Sequence, residues 1–84
     1  MRHFRIIILV REHGIKRVFV EPSGPCGSIF EAVDVFHQTH TGSEDILAIC
    51  RDHEELDVLR AIQAKHEISD QNCYRFGLDG SRVR

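Results

Sequence analysis

The sequence lacks the features that mark several large classes of protein. Its most apolar stretch, residues 4–10, is interrupted by Arg5 and is far shorter than the roughly 20 residues that cross a bilayer, so no membrane association is predicted. No small-residue cleavage site follows it, and we expect no targeting segment. The three cysteines are an odd number at wide spacing, which predicts free thiols in the cytoplasm rather than a disulfide framework.

Neither sign of charge dominates the chain, whose formal net charge is −2. Bulk electrostatics therefore favour neither nucleic acid nor an acidic membrane surface as a partner. The charges are nevertheless unevenly placed along the chain. Residues 1–21 carry five basic and two acidic side chains, whereas residues 22–70 carry three basic and ten acidic ones. This distribution predicts a basic N-terminal hairpin and acidic helices, and acidic residues at helix starts also suit the helix dipole.

Two β-branched runs separated by His13-Gly14 predict a β-hairpin. In the register that aligns their apolar residues, Leu9 lies opposite Val18 and Ile7 lies opposite Val20. A sheet that is apolar on both faces has to be covered on both. One predicted face carries Phe4, Ile6, Ile8, Val10, Ile15 and Phe19, and the other carries Ile7, Leu9, Val18 and Val20.

The remaining periodicity predicts two helices and two further strands. A Pro/Gly-rich loop over residues 22–27 is expected after the hairpin. Ser28 and Glu31 form a capping box at the start of helix 1, and Asp52 and Glu55 repeat that pattern at the start of helix 2. The predicted elements are strand 1 (residues 3–11), strand 2 (15–21), helix 1 (28 to 39–40), strand 3 (45–50), helix 2 (from 52) and strand 4 (73–78).

The order β-β-α-β-α-β predicts a single small α+β domain over residues 1–80, followed by a frayed basic tail over residues 81–84. Because crossover connections are right-handed, strand 3 is expected to run parallel to strand 2 and antiparallel to strand 1. We therefore predict a mostly antiparallel sheet of order 2-1-3, with strand 4 at an edge. Helix 1 should cover one face. The sequence leaves open whether helix 2 or the second subunit of a homodimer covers the other.

Two groups of side chains have the composition of a metal site without a known spacing. Asp34, His37 and His40 share one face of helix 1, and Cys50 and His53 are three residues apart. Neither group matches a zinc-finger or metalloprotease signature. No metal and no other cofactor is predicted.

The loop before helix 1 contains the best candidate for a nucleophile. Cys26 precedes a helix N-terminus, a position that lowers thiol pKa values, but no base can be assigned to it from the sequence. The prolines and glycines of residues 22–28 are also typical of a phosphate-binding loop, but the loop has neither the lysine nor the glycine spacing of known examples. The chain is not expected to be an enzyme.

A non-enzymatic protein-binding module is the function that these observations favour. It would act as a stoichiometric inhibitor, adaptor or regulator. By analogy with other small domains without catalytic motifs, it would suit a phage or mobile-element product directed at a host nucleoprotein complex. The residues predicted to face a basic protein partner are Glu44, Asp45, Asp52, Glu54, Glu55 and Asp57.

The alternative function is a small nucleic-acid-binding regulator that uses the basic hairpin. Its phosphate contacts would make binding sensitive to salt. Tyr74 is the one aromatic residue left to stack on bases, because Phe4 and Phe19 are assigned to the core. The residues predicted to contact phosphates are Arg5, Arg11, Lys16 and Arg17, with Arg82 and Arg84 in the tail.

Overall fold

A computed structural model describes residues 2–39 and 45–83, which form one mixed sheet with a helix on each face. The strands are β1 (Arg2–Glu12), β2 (Ile15–Cys26), β3 (Asp45–Cys50), β4 (Cys73–Phe76) and β5 (Arg82–Val83). The helices are α1 (Ile29–Thr39) and α2 (Glu55–His66), and 3-10 turns over Asp52–Glu54 and Asp70–Asn72 precede α2 and β4. The predicted α+β class is confirmed.

The β1–β2 hairpin has the predicted register. Leu9 lies opposite Val18 and Ile7 lies opposite Val20. His13 and Gly14 have φ angles of 53° and 78°. Two successive positive φ angles are typical of the two-residue turn whose twist matches that of the flanking strands. The turn and the apolar pattern therefore specify the same pairing.

The hairpin is longer than predicted, because β2 continues to Cys26 through most of the stretch that was expected to be a loop. A bulge interrupts the pairing there, and the backbone N–H of Phe4 donates to Ser23 Oγ at 3.0 Å across it. In the described chain, β4 pairs with β2 only over residues 18–20. Beyond them, β2 has a neighbour on one side alone, where prolines that lack an N–H are tolerated.

The strand order is β3-β1-β2-β4-β5. The predicted order of the first three strands is confirmed. The predicted position of strand 4 at an edge is wrong, because β4 runs parallel to β2 and β5 pairs with its other side. Among the described residues, the sheet is therefore mixed, with three antiparallel pairs of strands and the one parallel pair β2–β4, rather than antiparallel throughout. Arg82 and Val83, which form β5, belong to the segment that was expected to be a frayed tail.

Each face of the sheet is covered by a helix of the same chain. On one face, Leu59 and Ile62 of α2 pack against the hairpin. On the other face, Phe36 and Ala32 of α1 are buried. The hairpin residues under α2 are Ile7, Leu9, Val18 and Val20, and those under α1 are Phe4, Ile6 and Ile8. Neither helix described here has the length and apolar character that a membrane span requires.

The start of α1 shows the Ser28 half of the predicted capping box, while the Glu31 carboxylate bonds one residue earlier than that motif requires. Ser28 Oγ accepts a hydrogen bond from the backbone N–H of Glu31 at 3.2 Å, and the Glu31 carboxylate accepts one from Gly27 at 2.7 Å. These two bonds satisfy backbone donors that a helix start otherwise leaves unpaired. The described part of α1 extends to Thr39, and the predicted end at residues 39–40 falls at the limit of the described residues.

Candidate functional site

Three aromatic side chains lie side by side on the part of the α1-covered sheet face formed by β2 and β4. Phe19 lies opposite Ile8 in the hairpin and beside Tyr74 of β4, which places both rings on the α1 side of the sheet. Phe76 follows two residues after Tyr74 and shares that side, because side chains alternate along a strand. All three are half-buried, and none belongs to the described core clusters beneath α1.

The rings form a stack that ends on an arginine. The ring centroids of Phe19 and Tyr74 are 5.0 Å apart with an angle of 17° between the rings, and those of Phe19 and Phe76 are 6.5 Å apart at 7°. The Arg82 guanidinium of β5 lies 4.8 Å from the Tyr74 centroid, a distance at which the cation is attracted to the ring. We call Phe19, Tyr74, Phe76 and Arg82 the aromatic face.

Arg17 lies beside the aromatic face with one donor unused. It precedes Phe19 by two residues on β2, so both side chains lie on the same side of the sheet. Its Nη1 pairs with Glu12 Oε2 at 3.0 Å, whereas its Nε is buried and has no hydrogen-bond partner among the described residues. A buried donor without a partner costs about 1–3 kcal/mol. Because Nε is buried, an acceptor on a bound molecule would reach it only after the Arg17 side chain moved.

The structure divides the predicted acidic surface. Asp45 begins β3 and pairs with Arg11 at 3.3 Å, whereas three other members follow the far end of the same strand. One oxygen of the Glu54 carboxylate already accepts a hydrogen bond from the backbone N–H of Arg51 at 3.0 Å. Glu44 lies outside the described residues. The exposed members beyond β3 are Asp52, Glu54 and Asp57.

Glu55, the sixth predicted contact, is 6% exposed and joins two arginines inside the protein. Its Oε1 accepts a hydrogen bond from Arg5 Nε at 2.6 Å, and its Oε2 accepts one from Arg75 Nε at 2.8 Å and another from Arg75 Nη2. Arg5 also donates to the backbone carbonyl of Phe76. Glu55 therefore neither caps α2 as predicted nor contributes to the acidic surface. We call Arg5, Glu55 and Arg75 the buried ionic trio.

The predicted nucleic-acid contacts are largely paired within the chain. Arg5 belongs to the buried ionic trio and is not available at the surface. Arg11 and Arg17 pair with the carboxylates of Asp45 and Glu12. Lys16 is exposed at the hairpin tip. Arg82, also predicted as a phosphate contact, is exposed and lies against Tyr74. Carboxylates next to two of the four accessible basic groups lower the positive potential that phosphates would meet. Arg84 lies outside the described residues.

The candidate metal and thiol chemistry finds no assembled site within the two described ranges. There, no three potential metal ligands among histidine, cysteine, aspartate and glutamate lie together. His40, one of the predicted group, lies outside the described residues. Cys26 is 1% exposed, and its Sγ lies 3.6 Å from Ser23 Oγ. A thiol this deeply buried is inaccessible to a substrate in the folded state.

Cys73 is expected to be the one cysteine that reacts in the folded protein, because Cys26 and Cys50 are buried. Burial raises the pKa of Cys73, and the Asp70 carboxylate raises it further. Since the thiolate is the reactive form, alkylation of Cys73 should be slow at pH 8 and keep accelerating above pH 9. Iodoacetamide labelling followed by peptide mass spectrometry should show it reacting at least about tenfold faster than the buried thiols. Earlier modification of Cys26 or Cys50 would contradict the described packing.

The aromatic face could not be predicted from the sequence, because Phe19 follows the apolar pattern of the hairpin and was therefore assigned to the core. Its partial exposure depends on α1 packing away from the part of β2 that carries Phe19 and from β4, and no local pattern in the sequence reports this. No protein family model matches the chain, and no curated protein or solved structure is significantly similar to it. The candidate site is therefore defined by geometry and chemistry.

Proposed function

We propose that this chain is a non-enzymatic protein-binding module that docks its partner on the aromatic face. The observation that carries this proposal is the stack of three half-buried rings on a sheet surface that ends on Arg82. Aromatic residues and arginine are enriched in the cores of protein interfaces and among the residues that dominate binding energy. Such a module would act stoichiometrically, as an adaptor, a regulator or an inhibitor.

The partner is expected to present apolar side chains with hydrogen-bond acceptors beside them. Apolar groups would cover Phe19 and Phe76, while a carboxylate or carbonyl oxygen would pair with the exposed part of the Arg17 guanidinium. The Arg82 guanidinium offers further donors at the other end of the stack. Hydrogen bonds to charged groups contribute about 1.5–3 kcal/mol each, so these two arginines would set the orientation of the bound partner.

A protein partner suits this face better than a nucleic acid. Tyr74 lies between Phe19 on one side and Arg82 on the other, so neither face of its ring is open to a base. Nucleic-acid binding by stacking needs an open ring. The pairing of Arg11 and Arg17 with carboxylates also favours a protein partner.

Site-specific photo-crosslinking tests the proposal. A photoreactive phenylalanine analogue at position 76 should form a covalent adduct with a discrete protein in an extract of the source cell. The matched control carries the analogue at position 30, because Phe30 is 82% exposed but lies on α1. In addition, Phe76→Ala should weaken capture of the same protein by about tenfold or more, whereas Phe30→Ala should not.

Three outcomes would count against the proposal. The first is an equal adduct pattern from positions 76 and 30, which would mean non-specific contact. The second is an adduct at position 76 with RNA or DNA, which would favour the alternative function. The third is capture that survives Phe76→Ala unchanged, which would place the binding surface elsewhere.

A further inference from the structure

A cavity on the opposite side of the sheet shares one residue, Arg82, with the aromatic face. It lies between α2 and the strands β4 and β5 and has a volume of about 590 Å³. Small-molecule sites typically have volumes of about 300–1,000 Å³. Cys73 and Arg75 line this cavity and pair with Val18 and Val20 of β2, which places it on the α2 side of the sheet. The aromatic face lies on the other side.

The cavity wall carries positive charge that the protein does not neutralise. In the buried ionic trio, a single carboxylate serves two guanidinium groups, so one unit of positive charge remains. Arg5 is enclosed, whereas the Arg75 side chain is 29% exposed and borders the cavity. Asp52 lies 3.9 Å from Arg5 but is exposed to solvent, and water screens such a pair strongly. The uncompensated charge is therefore accessible at Arg75.

Arg60, another arginine of the cavity wall, already forms an ion pair with a carboxylate of the same chain. Arg60 Nη1 pairs with Asp70 Oδ1 at 2.6 Å and donates to Gln63 Oε1 at 2.7 Å. Asp70 also accepts a hydrogen bond from Gln63 Nε2 at 2.7 Å. This pair contributes no net charge to the cavity. An anion that enters is consequently drawn to Arg75 and to Arg82, the other arginines of the wall, rather than to Arg60.

Arg82, whose guanidinium also contacts the Tyr74 ring, is a third arginine of the wall, and the apolar part of the wall consists of Leu56, Leu59 and Val83. Leu56 is 49% exposed and Val83 is 37% exposed, although both side chains border the cavity, and the buried Leu59 lies between them and the core. Covering half-exposed apolar surface is favourable by roughly 25 cal/mol per Å². A ligand with a hydrocarbon portion would therefore gain binding free energy by covering these side chains. An inorganic anion has no apolar surface and would not.

We propose that this cavity binds a small amphipathic anion. Its oxyanion head would pair with Arg75, and its hydrocarbon portion would cover Leu56 and Val83. The charge left on the trio and the exposed apolar wall carry this inference, which does not rest on the proposed protein-binding function although Arg82 borders both surfaces. Carboxylate and phosphate heads share the chemistry that Arg75 recognises, since guanidinium groups pair with both.

Cys73 provides a direct reporter, because its thiol lines the cavity. Saturating octanoate should slow iodoacetamide labelling of Cys73 by about fivefold or more, in proportion to occupancy. Octyl phosphate should protect equally or better if the head is a phosphate, and less well if it is a carboxylate. Octanol has the hydrocarbon tail without the charge, and inorganic phosphate has the charge without the tail. Both should therefore protect Cys73 much less than octanoate. Absence of saturable protection by octanoate and octyl phosphate up to millimolar concentrations would refute the proposal.

Two variants test separately the contact with the anionic head and the contact with the hydrocarbon portion. Leu56→Ala should weaken octanoate binding by about fivefold, which is the loss expected from part of one leucine side chain. Leu78→Ala is the matched control, because Leu78 is 60% exposed and does not border the cavity. Arg75→Gln should abolish the preference for octanoate over octanol. Binding that is unchanged in both Leu56→Ala and Arg75→Gln would place the anion elsewhere and overturn the inference.

Discussion

Glu55→Gln should lower the free energy of unfolding by about 3–5 kcal/mol, the cost of removing one partner from a buried ion pair. The carboxylate of Glu55 holds Arg5 at 2.6 Å and Arg75 at 2.8 Å. The glutamine amide has nearly the same shape but no charge, and its NH2 group would face a guanidinium. Arg5, which is 4% exposed, would then keep a buried charge whose nearest remaining carboxylate, that of Asp52 at 3.9 Å, is exposed and screened by water.

The expected loss is large for a chain of this size. Domains typically unfold with a free energy of about 5–15 kcal/mol, and 1 kcal/mol shifts the midpoint by about 4–8 °C in a domain of 60–100 residues. Thermal unfolding followed by circular dichroism should therefore show Tm falling by about 12 °C or more. A variant that denatures at room temperature would agree with the upper part of this range.

Asp52→Asn is the matched control for Glu55→Gln. Asp52 also lies near Arg5, at 3.9 Å, but its side chain is exposed. Exposed ion pairs contribute about 0–1 kcal/mol, so this variant should unfold close to the wild-type temperature. Equal effects of the two substitutions would mean that proximity to Arg5, rather than burial of the carboxylate, determines the loss. The role assigned to the trio would then be wrong.

The hairpin could be predicted because its determinants are local. Leu9 and Val18 belong to adjacent apolar runs, and the turn at His13-Gly14 fixes which residues face each other. A shift of one residue would have moved charged side chains into the core, so the register had one acceptable solution. The end of β2 could not be predicted in this way. Pro22 and Gly24 indicate a loop, and only the one-sided pairing of that segment makes them compatible with a strand.

The candidate sites depend on contacts between distant residues. Glu55 fits a local capping pattern, and its actual partners are 50 and 20 residues away. Phe19 fits the core pattern of the hairpin, and its stacking on Tyr74 requires a parallel β2–β4 pairing that covers only three residues. A two-residue strand such as β5 has no periodicity to detect. The helices and strands could therefore be predicted better than the aromatic face and the buried ionic trio, which depend on how those elements pack together.

Leu59→Ala should destabilise the protein by about 2–5 kcal/mol, because Leu59 is 2% exposed in the core between α2 and the hairpin. Leu56→Ala on the same helix is its matched control. Leu56 is 49% exposed, so the same change of side chain should cost less than about 1 kcal/mol. Urea unfolding would measure both values, provided that the dependence of the free energy of unfolding on urea concentration is the same in the variants and the wild type. Similar losses at the two positions would contradict the described orientation of α2.

The concentration dependence of the same experiment distinguishes the two ways of covering this face that the sequence left open. If α2 of the same chain covers Ile7 and Val20, as the structure describes, the unfolding midpoint of the wild-type protein should be independent of protein concentration. If a second subunit supplied that cover, association would stabilise the folded state, and the midpoint would rise with concentration. A concentration-independent midpoint together with a large Leu59→Ala effect would place the whole core within one chain. A midpoint that rises with concentration would instead require a dimer interface on this side of the sheet, where it would compete with the proposed anion for access to the cavity.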